Sequence, residues 1–167
     1  STLAEANELR GNATTNASAE NLNINSGTGV VVRGNLSTLA GGPGFDMSAS
    51  LGSNTFENNT ITNNGTLTTG QTPGIRVSGD NNLIRRNIIA QNYGAGVLVR
   101  YQDQQSTPSI NEGNRITENS IYSNGATGTT PSNQIGIDLL ATVSESGNTG
   151  TSPFVTLNDS GDGDNGA

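Results

Sequence analysis

Three stretches of the chain superimpose without a gap over eleven positions: NTFENNTITNN from Asn54, NLIRRNIIAQN from Asn82 and NRITENSIYSN from Asn114. Each reads N-x-Φ-x-x-N-x-Φ-x-x-N, where Φ is apolar. Asparagine recurs at Asn54/Asn82/Asn114, Asn59/Asn87/Asn119 and Asn64/Asn92/Asn124. The apolar positions are Phe56/Ile84/Ile116 and Ile61/Ile89/Ile121. A second pattern, Gly-Φ-x-Φ, follows each word: Gly74-Ile75-Arg76-Val77, Gly96-Val97-Leu98-Val99 and Gly136-Ile137-Asp138-Leu139. A fixed word with a variable gap behind it marks a solenoid, in which each repeat is one coil and insertions leave as loops.

Apolar residues five apart form no helical stripe. They suit very short strands with one inward side chain, separated by bends. Asparagine tolerates the left-handed backbone region better than other non-glycine residues, so it can sit at such a bend. Its amide can also bond an identical asparagine one coil away, about 4.8 Å distant. Gly-Φ-x-Φ then adds a third strand with two inward side chains. Three strands and three bends per turn describe an all-β parallel β-helix. The hydrophobic fraction is only 30%, a composition that also suits disorder. A disordered polar tract, however, would not keep its isoleucines in phase.

A weaker coil is expected upstream, where Asn7-Glu8-Leu9-Arg10-Gly11-Asn12-Ala13-Thr14 fits the first eight positions of the word and Gly29-Val30-Val31-Val32 closes the turn. Coils are therefore expected near residues 7–32, 54–77, 82–99 and 114–139 of one domain covering 1–167, with 140–167 as an acidic C-terminal segment. Residues 33–53, 100–113 and 125–133 read as long loop insertions. Within the word, Glu57 should lie over Arg85 and Arg86 over Glu118. Arg76, Leu98 and Asp138 share the outward site of the closing strand. As aligned, the threonines fall in loops and form no repeated row, which sets ice binding aside.

Through Arg115 there are seven arginines against eight acidic residues; from Ile116 onward there are six acidic residues and no basic one. Lysine, histidine and cysteine are absent. With neither a basic patch nor a stacking stripe, nucleic acid is not an expected partner. Zero cysteines exclude a disulfide framework. No apolar run is long enough to insert in a membrane, and Ser1 opens no signal peptide, so the sequence reads as a mature or excised piece.

The tail, Asn158-Asp159-Ser160-Gly161-Asp162-Gly163-Asp164-Asn165-Gly166, alternates oxygen ligands with glycines. Hard cations take several such oxygens, and glycine lets the backbone fold round them. Asp159, Asp162 and Asp164 are the candidate ligands and calcium the cofactor they suit, although the spacing falls short of an EF-hand. The long loop supplies Arg100, Tyr101, Gln102 and Asp103 as a candidate carbohydrate-binding set.

The coils resemble the right-handed parallel β-helix repeats of pectate lyases and many bacterial surface proteins. Ile135-Gly136-Ile137-Asp138-Leu139 followed by Val155-Thr156-Leu157-Asn158-Asp159-Ser160-Gly161-Asp162-Gly163-Asp164-Asn165-Gly166-Ala167 is similar to a segment of large secreted bacterial β-helix proteins, with Leu157 where that segment usually has proline. The resemblance implies a right-handed parallel β-helix of about four to five coils with long loop insertions, and a bacterial extracellular or cell-surface origin.

Nucleophilic catalysis by Ser/His or Cys/His is excluded by composition. A lyase needs an arginine or lysine base beside carboxylates, and Arg76 with Asp138 or Arg100 with Asp103 are the pairs available. A hydrolase needs two facing carboxylates, and Glu57, Glu118 and Asp138 stand at different positions of the repeat. The expected function is thus a non-catalytic structural or adhesive module, with surface glycans or neighbouring domains of a parent protein as partners. The alternative is a carbohydrate-binding or polysaccharide lyase-like module.

Overall fold

The computed structural model describes residues 8–47, 52–67, 71–100 and 111–140. Their short strands form three parallel five-stranded sheets, and every coil gives one strand to each. The first sheet stacks Glu8–Arg10, Val31–Arg33, Thr55–Glu57, Leu83–Arg85 and Arg115–Thr117. The second stacks Ala13–Thr15, Leu36–Thr38, Thr60–Thr62, Ile88–Ala90 and Ser120–Tyr122. Leu22–Asn23, Phe45–Asp46, Ile75–Val77, Val97–Val99 and Ile137–Leu139 make the third. The expected parallel β-helix is therefore the fold, and it has five coils.

The interior follows the alignment. Phe56, Ile84 and Ile116 are register partners, as are Ile61, Ile89 and Ile121 and Val77, Val99 and Leu139. Phe56, Ile61, Ile75, Ile84, Ile89 and Val97 are fully buried, each burial worth about 1.5–3 kcal/mol. At the last coil Ile116 and Ile121 are only half-buried and Ile137 and Leu139 are exposed, because no described strand stacks on them.

Two expectations fail upstream. Val31–Arg33 pairs with Glu8–Arg10 on one side and Thr55–Glu57 on the other, so it opens a second coil and does not close the first. The first coil closes at Leu22–Asn23, which pairs with Phe45–Asp46. Residues 33–53 accordingly hold most of a coil, not a loop. The word is worn there: Val30 and Ala40 stand where later coils have Asn54 and Asn64, and Ser37 stands where they have Ile61. Ser37 is buried yet satisfied, since its hydroxyl lies 3.0 Å from Asn21 Nδ2 and 3.4 Å from Asn64 Oδ1. Gly44-Phe45-Asp46-Met47 is an intact Gly-Φ-x-Φ.

Asparagine supplies the joints. Asn87 accepts at Oδ1 from both the backbone N–H and the side-chain Nδ2 of Asn59, each at 2.9 Å. Asn87 Nδ2 donates to Phe56 O at 2.9 Å and to Asn119 Oδ1 at 3.0 Å. The same arrangement links Asn12, Asn35, Asn59, Asn87 and Asn119 through all five coils. A second ladder runs Asn64, Asn92, Asn124, and a third Asn54, Asn82, Asn114. Positive φ falls not on these asparagines but on the residue before each: Asn58, Arg86 and Glu118 at one corner, Asn63, Gln91 and Ser123 at the next.

The ladder also explains the glycine of Gly-Φ-x-Φ. A Cβ at Gly74 would lie 2.6 Å from Asn92 Nδ2 and 2.9 Å from Gly96 O. One at Gly96 would meet Asn124 Nδ2 and Ile121 Cγ2, both at 2.8 Å. The second asparagine ladder passes so close that only hydrogen fits there.

The three outer faces differ. Ion pairs dominate the first sheet: Glu8–Arg33 at 2.6 Å, Arg33–Glu57 at 3.9 Å and Glu57–Arg85 at 2.7 Å run from coil to coil, and Arg86–Glu118 at 2.7 Å sits at its corner. The expected Glu57–Arg85 and Arg86–Glu118 stacking is present. The second sheet carries no charged residue on its outward positions. On the third sheet the outward residues Asp46, Arg76, Leu98 and Asp138 are themselves buried.

Candidate functional site

The strongest concentration of buried charge lies on the outward row of the third sheet. Register places Asn23, Asp46, Arg76, Leu98 and Asp138 in one line, one residue per coil. Strands here present two side chains inward, so the middle residue of each points away from the core. Arg76 donates from Nε to Asp46 Oδ1 at 2.7 Å, and its Nη2 binds Asp46 Oδ2. This two-pronged contact matches the planar guanidinium to the planar carboxylate. Both residues are buried, and Glu20 Oε1 stands 3.8 Å from Arg76 Nη2.

Arg100, just beyond the Val97–Val99 strand, lies in the same charge field. Burial pushes its guanidinium below its ordinary value; the nearby positive charge of Arg76 pushes the same way, and Asp46 opposes it. The backbone on either side is fixed, with Arg100 N–H bonded to Val77 O at 3.0 Å and Arg100 O accepting from Asn111 Nδ2 at 2.6 Å. Arg76 thus faces two carboxylates, Asp46 and Glu20, and Arg100 feels the field of Asp46.

Among the sequence candidates, Arg76 and Asp138 do occupy one row, but Leu98 separates them by a coil and Arg76 is engaged by Asp46. Leu98 packs with Ala95 and Leu140 in a small apolar cluster of its own. Of the carbohydrate-binding set only Arg100 is among the described residues; Tyr101, Gln102 and Asp103 lie outside them. So do the calcium candidates Asp159, Asp162 and Asp164. Among the described residues, no three carboxylate, histidine or cysteine side chains are grouped to hold a metal ion. Sequence reasoning missed Asp46 because residues 33–53 read as a loop, and Glu20 because it lies in the first coil beyond Thr14, where the fit to the word ends. The Gly-Φ-x-Φ pattern at Gly44 carried the missing signal.

Chemically, the row is an ion-paired seam. The fork engages both oxygens of Asp46 and two nitrogens of Arg76, holding the two planar groups in one fixed orientation. What the seam does well is lock the register of adjacent coils.

No curated protein and no solved structure matches the chain significantly. The family model described as the right handed beta helix region matches residues 2–139. This match spans most of the chain and coincides with the five coils, and the chain belongs to that family.

Proposed function

We propose that the chain serves as a non-catalytic structural and adhesive β-helix module of a bacterial extracellular or surface protein. The observation that carries this reading is the asparagine ladder running unbroken through all five coils. It is reinforced by coil-to-coil ion pairs that engage Glu8, Asp46, Glu57 and Glu118. Polar side chains of this protein are spent mainly on joining coils, which suits a stiff rod that displays loops and faces. The bacterial, extracellular setting rests on the resemblance of the C-terminal pattern, and the same tail is proposed to hold calcium through Asp159, Asp162 and Asp164.

The experiment is incubation of the purified chain with a panel of acidic and neutral polysaccharides, with and without calcium. No release of unsaturated or reducing sugar ends is expected. A second reading, a lyase-like module acting on acidic glycans, is favoured by the desolvated Arg100 beside Arg76 and Asp46. Release of sugar ends, abolished by Arg100→Gln, would establish it in place of the first.

A further inference from the structure

Among the described residues the second sheet is the one outer face free of charge, and it is open save at Ala90, which is buried. Its first outward row is Ala13, Leu36, Thr60, Ile88 and Ser120; its second is Thr15, Thr38, Thr62, Ala90 and Tyr122. A third row follows at the corner, where Asn16, Leu39, Asn63, Gln91 and Ser123 all adopt positive φ. None of these side chains is charged at neutral pH. On the first sheet, the matching outward positions include Glu8, Arg10, Arg33, Glu57, Arg85 and Arg115. The threonines expected to miss the strands are therefore in register after all, because the second coil, unrecognised in the sequence, contributes Thr38 between Thr15 and Thr62.

Exposed apolar surface gathers on this strip. Leu36 is 39% exposed, Leu39 44%, Ile88 45% and Tyr122 53%, four of the seven large hydrophobics exposed among the described residues. Scattered singly, exposed apolar groups are ordinary; four on one uncharged face are what the strip offers a ligand.

Shape and charge select the occupant. The strip is about 10 Å wide and about 20 Å long, from three residues per strand and five strands 4.8 Å apart. That is well short of the roughly 800 Å² per partner that a stable protein–protein interface buries. Sheet-edge pairing is not offered either, since the strip is a sheet face and its backbone groups are bonded within the stack. The threonine row is broken by Ala90 and Tyr122, and Leu36 and Ile88 project beside it, so the surface is too uneven for a flat lattice. A narrow ligand repeating along the coil axis is what remains. Sugar rings present C–H faces that pack on Leu36, Ile88 and the ring of Tyr122. Their hydroxyls find partners in Thr15, Thr38, Thr62, Asn63 and Gln91. An uncharged strip on a chain of net charge −7 gives an anionic polymer nothing to pair with.

We infer that the outward face of the second sheet is a binding strip for a single chain of neutral polysaccharide lying along the stack. The inference rests on the adhesive, non-catalytic reading above and gives that reading a ligand class.

The test is retention of the 167-residue chain on insoluble cellulose and chitin and on immobilised mannan and dextran, beside polygalacturonate and alginate. Retention is expected on at least one neutral polymer and should survive about 0.5 M NaCl, where surface charge attraction is screened. Leu36→Glu/Ile88→Glu should weaken it at least about tenfold with melting little changed, and Tyr122→Ala should weaken it independently. Arg115→Ser on the first sheet should leave it unaltered. Retention on none of the neutral polymers would overturn the inference. So would salt-sensitive retention on the acidic ones alone, strip variants that bind like wild type, or self-association abolished by the strip variants. Sugar-end release measured on the same samples separates the two claims: release with retention intact would sink the non-catalytic reading alone, and absence of both would sink the strip alone.

Discussion

At the residue scale, the asparagine word was legible because its chemistry needs both halves of a primary amide. Oδ1 accepts two N–H groups from the coil before, and Nδ2 donates to a main-chain carbonyl of that same coil and to the next asparagine. No other small side chain offers that set. Replacing Asn87 with alanine strands the buried N–H of Asn59 and leaves its Nδ2 with Val32 O alone, and should cost about 1–3 kcal/mol; urea denaturation of the variant measures it. The bend itself was not legible. Positive φ falls on Arg86, Gln91, Ser123 and Glu118 as readily as on Asn58 and Asn63, because the ladder bonds on either side hold the corner whatever side chain occupies it. Those bonds offset a local cost of about 1–2 kcal/mol per left-handed residue. Gln91→Gly should therefore raise the melting temperature, and Gln91→Val, β-branched at φ 56°, should lower it.

At the element scale, three coils could be read because each keeps both apolar positions and all three asparagines. The coil around Val31–Arg33 could not, since its word survives only at Val32 and Asn35. Its missing groups are supplied from elsewhere: Asn21 Nδ2 bonds Thr14 O, Thr38 O and Ser37 Oγ, filling space the lost asparagine leaves. Position in a stack is decided by neighbours as much as by the local word. The ion-paired seam on the third sheet was invisible for the same reason, as Asp46 lies in that worn coil. Removing Arg76 alone would leave Asp46 buried without its fork, and Arg76→Ala should cost about 3–5 kcal/mol. The double variant Arg76→Met/Asp46→Leu should recover much of that loss in the same melting experiment, since burying a pair of charges is itself expensive.

At the scale of the whole molecule, the faces divide the work: charge on the first sheet, a neutral strip on the second, a covered seam on the third. The charged face predicts the acid behaviour. Hydrogen bonds from Arg33 and Arg86 hold the Glu8 and Glu118 carboxyls below their ordinary value. A folded-state value below the unfolded one means the stabilisation is present above the ordinary carboxylate range and is lost as pH falls through the folded value. Melting temperature should drop on acidification, and Arg33→Gln/Arg86→Gln should flatten part of that drop. Both glutamates are solvent-exposed, so added salt should shrink the effect.

Native-state hydrogen exchange of the asparagine amides tests the stack most directly. If the ladder joins the five coils, the backbone and side-chain N–H groups of Asn35, Asn59 and Asn87 exchange only through global unfolding, with Asn35 as protected as Asn87. Random-coil exchange at Asn35 beside protection at Asn87 would contradict the second coil, and unprotected amides at all three would contradict the ladder.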